Sequence, residues 1–175
     1  MGPGAPTLVP LRRHHFGLVV DWLAQPHVAE WWDSPQGMDQ VEAEYGPCVD
    51  GTDPTEVLLC VVGDQPIGLV QIYRLEDNPE YAEAVGLPSA GGIDLFIGDG
   101  ERLGAGLGSA MIAAAAERIW ERYPDVPCAM AGPSVHNARS IRAFEKAGFR
   151  ALRQVRIAGE TDEELVLVCA RPTRG

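Results

Sequence analysis

Asp94 lies in the segment GGIDLFIGD, in which alternating apolar residues predict a β-strand. Within a strand, Asp94 and Phe96 share one face and Ile93 and Leu95 share the other, so a carboxylate is paired with an aromatic ring. A carboxylate in such a position can attract a protonated amine and accept its proton. The alternative interpretation is an aspartate on an edge strand that faces water.

A glycine-rich segment, ERLGAGLG, follows this strand and precedes an alanine-rich helix. Gly104, Gly106 and Gly108 carry no side chains, so backbone N–H groups could converge there on an anion beside the positive end of the helix. Three alternate glycines also suit a tight turn from strand to helix, and both interpretations stay open. The G-x-G-x-G spacing differs from the dinucleotide fingerprint G-x-G-x-x-G, and no P-loop Lys-Ser/Thr pair follows it.

Two adjacent tryptophans, Trp31 and Trp32, precede Asp33. Packing of one ring in the core and of the other over it would explain the pair without a ligand. Adjacent side chains diverge, however, and we expect one ring to face a ligand. A flat ring beside a carboxylate suits a cationic sugar, through stacking and charge.

The elements that must position these residues alternate between helices and strands in one mixed α/β domain over residues 1–175. Helices are predicted over residues 12–24, 27–32, 38–45, 109–123 and 138–147, the last of them ended by Gly148. Strands are predicted over residues 7–10, 55–63, 65–75, 92–99, 126–131, 151–157 and 164–170. Gly63 and Asp64 predict a tight hairpin, and residues 76–92 predict a long loop that we expect to line a site.

The charge balance bears on the class of partner. The 175-residue chain has 14 Lys and Arg against 25 Asp and Glu, a net charge of −11. Because affinity for nucleic acid depends on clustered basic residues, this balance argues against a nucleic-acid partner. A cationic substrate fits it better, although an acidic surface also simply keeps a protein in solution.

Cysteine, histidine and hydropathy patterns predict the compartment. The four cysteines form no C-x-x-C pair, which indicates a reduced protein, and the four histidines have no metal-ligand spacing, so we expect no metal. No apolar run approaches the roughly 18 residues of a membrane span, and the N-terminal residues lack a signal-peptide pattern. We therefore expect a cytoplasmic protein with no membrane partner.

Two segments, IDLFIGDGERLGAGLG and HNARSIRAFEKAGFR, resemble the acetyl-CoA-binding core of the GNAT acyltransferases. The resemblance implies the GNAT fold, a central mixed and mostly antiparallel sheet flanked by helices, with acetyl-CoA as co-substrate. In that family, loop amides and a helix terminus hold the coenzyme A pyrophosphate, and an Asn in the position of Asn137 contacts the pantetheine arm. The cofactor-binding residues that the resemblance implies are Leu95, Phe96, Ile97, Leu103, Gly104, Ala105, Gly106, Leu107, Gly108, Ser109, Asn137 and Phe144.

Nearly the whole chain resembles a narrower group, the aminoglycoside 6′-N-acetyltransferases and their siderophore-acylating relatives. The order of EWWD, VQIY and GID favours the aminoglycoside branch. By this resemblance, Asp94 is the catalytic base or the anchor of the substrate amine, whereas for Tyr73 and Asp77 plain strand and loop positions stay equally open. The substrate-binding residues that it implies are Trp31, Trp32, Asp33, Gln71, Tyr73, Glu76, Asp77 and Asp94.

The chain departs from the family pattern at three positions. Leu103 stands where the family has Gln or Arg, with Arg102 one place early. Phe144 stands where the family has a Tyr that can protonate the departing thiolate, which implies a working but slower enzyme. Gly132 stands before Pro133 where relatives carry an acidic residue, which implies that one anchor for substrate amines is missing.

Our hypothesis from the sequence is an N-acetyltransferase that moves an acetyl group from acetyl-CoA to a polycationic amine, the 6′-amine of an aminoglycoside. A backbone N–H near Leu95 or Phe96 would stabilise the oxyanion. One alternative is acylation of a siderophore precursor or another metabolite amine. Another is a non-catalytic acyl-CoA-binding module, which Phe144 and Gly132 favour.

Overall fold

A computed structural model describes residues 4–33 and 37–173. Its strands are β1 (Thr7–Pro10), β2 (Glu56–Val62), β3 (Gln65–Arg74), β4 (Gly91–Ile97), β5 (Cys128–Ala131), β6 (Arg150–Arg156) and β7 (Glu163–Ala170). Its α-helices are α1 (Phe16–Leu23), α2 (Pro26–Ala29), α3 (Gly37–Asp50), α4 (Pro79–Val85), α5 (Leu107–Arg122) and α6 (Ala138–Lys146).

The strands form one mixed sheet in the order β1-β2-β3-β4-β5-β7-β6. All neighbouring pairs are antiparallel except β4 and β5, which pair in parallel only through Gly91 and Gly92. Helix α5 packs on one face of the sheet, and α1 and α3 pack on the other. This is the predicted mostly antiparallel sheet flanked by helices. The limited β4–β5 pairing leaves a gap between the two strands beyond Gly92.

Local sequence explains the ends of several elements. Gly63 has φ +61°, and the hairpin between β2 and β3 turns there as predicted. Gly148 has φ +96° directly after the C-cap of α6, again as predicted. Helix α5 begins at Leu107, two residues earlier than expected, so Gly108 lies in its first turn. Gly63 and Gly148 adopt a left-handed backbone without a steric clash, because glycine has no Cβ atom.

The predicted end of the third helix was wrong. Helix α3 continues beyond Tyr45 to Asp50 with Pro47 inside it, because Cys48 and Val49 extend its apolar face against the core that contains Val41. Packing of that face outweighs the backbone hydrogen bond that proline removes.

The predicted loop over residues 76–92 contains helix α4. Pro79 occupies the first turn of this helix, and Gly86 ends it with φ +73°. Proline at the start and glycine at the end are typical helix boundaries, and buried Val85 fixes the helix on the sheet. Helix α2 is in turn shorter than expected and ends at Ala29.

Three further properties concern membrane spans, cysteine pairing and metal ligands. Within the described ranges, no helix is both long and apolar enough to cross a membrane. The four cysteines are unpaired, and no group of three His, Cys, Asp or Glu residues in those ranges has a metal-binding arrangement.

Candidate active site

Asp94 lies in the middle of β4, where its Cα pairs with that of Gln71 on β3. Phe96 packs with the α1–α3 core and Ile93 with the α5 core, so Asp94 and Phe96 share a face as predicted. Gly92 precedes Asp94 on the same face, and a Cβ there would overlap the ring of Tyr73. The absence of a side chain at Gly92 therefore lets the Tyr73 ring lie across the strand.

Two cavities meet at Asp94. The larger has a volume of about 780 Å³ and the smaller about 300 Å³. Asp94, Gly132 and Glu164 line both cavities. A ligand in either cavity therefore lies beside these two carboxylates.

The environment of Asp94 raises the pKa of its carboxyl group to about 7, from an ordinary value of 3.8. The carboxylate is open to solvent in the cavity, but the surrounding walls desolvate its charged form, which is the larger cause. The negative charge of Glu164 is the smaller cause. A carboxyl group with this pKa can accept a proton near neutral pH.

Trp31, Trp32 and Asp33 line the larger cavity. Trp32 packs edge-on against Phe96, with 4.9 Å between ring centroids, whereas Trp31 is 41% exposed. The Trp32 ring therefore contacts the core and the Trp31 ring is exposed at the cavity, while contact of Trp31 with a ligand stays a prediction.

The backbone of β4 presents alternate groups to the gap beside it. Gly98 N–H donates to Ile67 O at 2.8 Å, so even-numbered residues of β4 direct their polar groups toward β3. Odd-numbered residues direct theirs toward the gap, where Nε2 of His27 donates to Ile97 O at 2.9 Å. Leu95 N–H consequently points into the gap, and Leu95 lines the larger cavity.

Phe96 differs from Leu95 in the direction of its backbone N–H, and its contact with the cofactor stays a prediction. Its backbone N–H is directed toward β3, and its ring is buried between Trp22 and Trp32 on the face that it shares with Asp94. The alternation of hydrogen bonds along β4 thus favours Leu95 over Phe96 as a donor to a ligand.

The glycine-rich segment forms an open turn at the start of α5. Gly104 and Gly106 have φ +78° and +77°, and a Cβ on either would meet no atom within 4 Å. Gly106 caps α5 without a side-chain hydrogen bond, so N–H groups of the first turn are left for another acceptor. This is the geometry that an anion such as a pyrophosphate requires.

The other residues of this segment support the turn in different ways. Leu107 is buried in the core, and Ser109 Oγ donates to Gly106 O at 3.1 Å. Leu103 is half-buried and Ala105 is exposed, so neither adds a polar side chain to the segment. A Cβ on Gly108 would lie 3.5 Å from that of Ala143, because α5 and α6 pack closely there.

Helix α6 contributes Asn137, Ser140 and Phe144 to the larger cavity. Asn137 is the N-cap residue, and its Oδ1 accepts the Ser140 N–H at 3.2 Å, which leaves its amide NH₂ for a ligand. Phe144 packs edge-on against Phe149 at 5.1 Å between centroids. The wall at Phe144 therefore carries no hydroxyl.

The remaining implied substrate residues separate into two groups. Gln71 and Tyr73 line the smaller cavity beside Asp94. Glu76 and Asp77 line neither of the two cavities; they lie in a one-turn 3₁₀ helix, where Glu76 accepts a hydrogen bond from Ser89 Oγ at 2.5 Å.

Sequence reasoning missed two polar residues at the centre of the site. Glu164 is on β7, and Tyr81 is on α4 within the predicted loop. Tyr81 OH donates to Glu164 Oε2 at 2.7 Å, and both residues line the smaller cavity. The alternation of β7 could have shown only that Glu163 and Glu164 face opposite sides, since the partner of each depends on the tertiary fold.

Comparisons with known proteins agree with this geometry. Residues 12–157 match the family model of the acetyltransferase (GNAT) domain. An aminoglycoside N(6′)-acetyltransferase type 1 of Klebsiella pneumoniae is 30% identical over 147 residues, which cover 82% of this chain and 73% of that protein. A matched region of this extent establishes common ancestry.

Solved structures have the same architecture. The crystal structure of the aminoglycoside acetyltransferase AAC(6′)-Ib with coenzyme A and kanamycin superposes with a TM-score of 0.79 at 27% identity, covering 95% of each chain. An uncharacterized protein from Bacillus halodurans superposes with a TM-score of 0.82 at 19% identity, over 94% of this chain and 83% of that one, and shows the fold alone. The chain therefore belongs to the GNAT acetyltransferases, which use acetyl-CoA as co-substrate.

Proposed function

We propose that this chain transfers the acetyl group of acetyl-CoA to the 6′-amine of an aminoglycoside. The observation that carries the proposal is the Asp94 carboxylate, with a pKa of about 7, at the junction of two cavities lined by aromatic and acidic side chains. Two relatives support the same substrate class. One is named an aminoglycoside N(6′)-acetyltransferase, and a similar protein has been crystallised with kanamycin.

The residues present fit acetyl-CoA. The uncapped first turn of α5 and the open glycine turn before it would hold the pyrophosphate. The gap beside β4, together with the free amide of Asn137, would hold the pantetheine arm. When bound, acetyl-CoA supplies a thioester whose carbonyl carbon can be attacked by an amine.

The carboxylate of Asp94 and the backbone N–H of Leu95, both on β4, would perform the transfer together. Asp94 attracts the ammonium group and accepts its proton, either directly or through a water molecule. The freed amine would then bond to the acetyl carbonyl carbon as the carbon–sulfur bond breaks and coenzyme A departs as its thiolate. Leu95 N–H, directed into the gap, donates to the acetyl oxygen as negative charge develops on it. Binding of both substrates in one cavity supplies the rest of the rate enhancement, because the reacting groups are held close together.

The acidic side chains of the larger cavity suit a substrate with several positive charges. These carboxylates come from the segment after α2, from β4, from the connection between β6 and β7 and from the beginning of β7; they are Glu30, Asp33, Asp94, Glu160, Asp162 and Glu164. The exposed ring of Trp31 can stack on a sugar. A neutral or anionic acceptor would leave this cluster of negative charge uncompensated.

The test of the proposed function is release of free coenzyme A from acetyl-CoA by the purified protein with a panel of acceptors. The panel contains kanamycin, tobramycin, a 6′-hydroxy aminoglycoside and a lysine-derived hydroxylamine. We expect turnover with the 6′-amino drugs and none with the 6′-hydroxy drug. Turnover with the hydroxylamine alone would instead assign the chain to siderophore acylation, and acetyl-CoA binding without turnover would indicate a binding module.

The dependence of kcat/KM on pH should reflect Asp94. Because the carboxyl group must be ionised to accept a proton and its pKa is about 7, kcat/KM is expected to fall as the pH drops through 7. Kinetics between about pH 5.5 and 9 at saturating acetyl-CoA measure this limb. A profile that stays flat down to about pH 5 would show that a different group accepts the proton.

The Phe144→Tyr substitution is expected to increase kcat. Phe144 lines the cavity, so a phenol hydroxyl added to its ring could donate a proton to the departing thiolate. We expect an increase of about tenfold, below the ~10²- to 10⁴-fold range of general acid catalysis, because a thiolate is already a stable leaving group. Single-turnover kinetics measure the change, and an unaltered rate in a folded variant would show that the thiolate departs without a proton donor.

A further inference from the structure

Glu164 is brought to the active site by the segment that follows β5. Val135 N–H donates to Glu163 O at 3.0 Å, and Leu165 N–H donates to Pro133 O at 2.9 Å. These two hydrogen bonds attach the turn containing Gly132 to the beginning of β7. Glu164 consequently lines both cavities together with Asp94, although 69 residues separate the two in the sequence.

The position of the Glu164 carboxylate depends on Gly132 and Tyr81. Tyr81 OH donates to Glu164 Oε2 at 2.7 Å. A Cβ atom on Gly132 would overlap both Oε2 of Glu164 and the hydroxyl of Tyr81. The carboxylate of Glu164 thus occupies the space that a side chain at position 132 would fill, where the resemblance implies that relatives carry an acidic residue.

Glu164 and Asp94 interact through their charges. Glu164 raises the pKa of Asp94, and burial raises the pKa of Glu164 itself, while the hydrogen bond from Tyr81 opposes this rise. Besides the two carboxylates themselves, the groups that act on this pair are Tyr81 and Glu160, and the two carboxylates in turn raise the pKa of the neighbouring Tyr73; none of these three groups is cationic. A substrate cation between the two carboxylates would relieve their repulsion.

We propose that Glu164, held by Tyr81, binds a second ammonium group of the acceptor beside the amine that Asp94 deprotonates, and that it thereby selects polycationic substrates. This inference rests on the proposed function and deepens it. Glu164 is a binding and specificity residue in this account, and the proton transfer stays with Asp94.

The Glu164→Gln variant tests the proposal directly. We expect KM for kanamycin to rise by about tenfold or more, because a charge-assisted hydrogen bond is lost, with little change in kcat or in KM for acetyl-CoA. The acidic limb of kcat/KM should also move to lower pH, since the charge that raises the pKa of Asp94 is removed. This shift measures the charge interaction of the two carboxylates, whereas a higher KM for kanamycin with an unaltered KM for acetyl-CoA separates substrate binding from a purely structural role.

Two further variants control for charge and for folding. Glu163→Gln removes the same charge one residue earlier, where the carboxylate lies 3.6 Å from Arg156, and should leave both KM and the pH limb unaltered. The double variant Gly132→Asp with Glu164→Ala removes the carboxylate of residue 164 and places a carboxylate on residue 132, in nearly the same space. We expect it to bind kanamycin more tightly than Glu164→Ala alone.

The outcomes separate this proposal from the proposed function. Wild-type turnover of kanamycin with an unaltered KM in the Glu164→Gln variant would overturn the role of Glu164 alone. Absence of wild-type turnover with every aminoglycoside would overturn the proposed function. The polycation site would then be tested by calorimetric titration with spermidine, and equal affinity in the wild type and in Glu164→Gln would overturn it as well.

Discussion

The Asp94→Asn variant is expected to lose about 10²- to 10⁴-fold in kcat/KM for the amine while it binds acetyl-CoA as the wild type does. Asparagine has nearly the same shape as aspartate but cannot accept the proton of the ammonium group. The backbone hydrogen bonds between β3 and β4 do not involve this side chain, so the strand and Leu95 N–H stay in place. Steady-state kinetics and calorimetric titration with acetyl-CoA measure the two quantities separately.

The same variant is expected to be more stable than the wild type at high pH. Because the folded-state pKa of Asp94 is raised to about 7, its contribution to stability is fully present below the ordinary value of 3.8 and is lost as the pH rises through 7. The substitution removes this loss, so its melting temperature should exceed that of the wild type at about pH 8, and the difference should narrow as the pH falls below 7.

A matched control is Asp64→Asn, which removes one carboxylate from the exposed turn between β2 and β3. We expect wild-type kinetics and no such pH-dependent stabilisation from it. If Asp94→Asn binds both substrates and keeps full activity, Asp94 is not the base.

The Gly108→Glu variant is expected to weaken acetyl-CoA binding by about 100-fold. Gly108 lies in the first turn of α5, where the N–H groups that would hold the pyrophosphate begin. Two like charges about 5 Å apart repel by about 3 kcal/mol at an effective dielectric constant of about 20. Because this repulsion is screened by salt, the loss of affinity should decrease as the ionic strength rises.

Folding is not expected to suffer from this substitution. A Cβ at Gly108 makes only an ordinary contact with Ala143, and the first turn of α5 has no acidic residue. An acidic side chain there stabilises the helix by about 0.3 to 1 kcal/mol through the helix dipole. The control is Gly108→Gln, which has the same size without the charge and should keep most of the affinity. Equal loss in both variants would mean that steric exclusion, and not charge, weakens binding.

The sequence predicts those features that depend on local patterns. The alternation of GGIDLFIGD is sufficient to place Asp94 and Phe96 on one face of a strand, because side chains along a strand alternate between two faces. Gly63 and Gly148 predict a turn and a helix end, because left-handed backbone favours glycine. Resemblance to a family added the cofactor and the substrate class, which no local pattern contains.

Features that depend on the arrangement of the sheet could not be predicted in this way. Glu164 meets Asp94 because β7 lies one strand beyond β5 in the sheet, an order that alternation within single strands does not reveal. The choice of Leu95 over Phe96 depends on which of them bonds to β3, and that follows from the register of the two strands. Helix α4 was not predicted because its seven residues lie in a segment rich in turn-forming residues.

The central claim is that Asp94 deprotonates the 6′-amine of an aminoglycoside for acetyl transfer. The most direct test is to incubate the wild type with acetyl-CoA and kanamycin and to locate the acetyl group in the product by mass spectrometry and NMR. We predict a single acetyl group, in amide linkage at the 6′ position, and none with Asp94→Asn over the same time. An acetyl group at another amine, or the same 6′ product formed as rapidly by Asp94→Asn, would contradict this account.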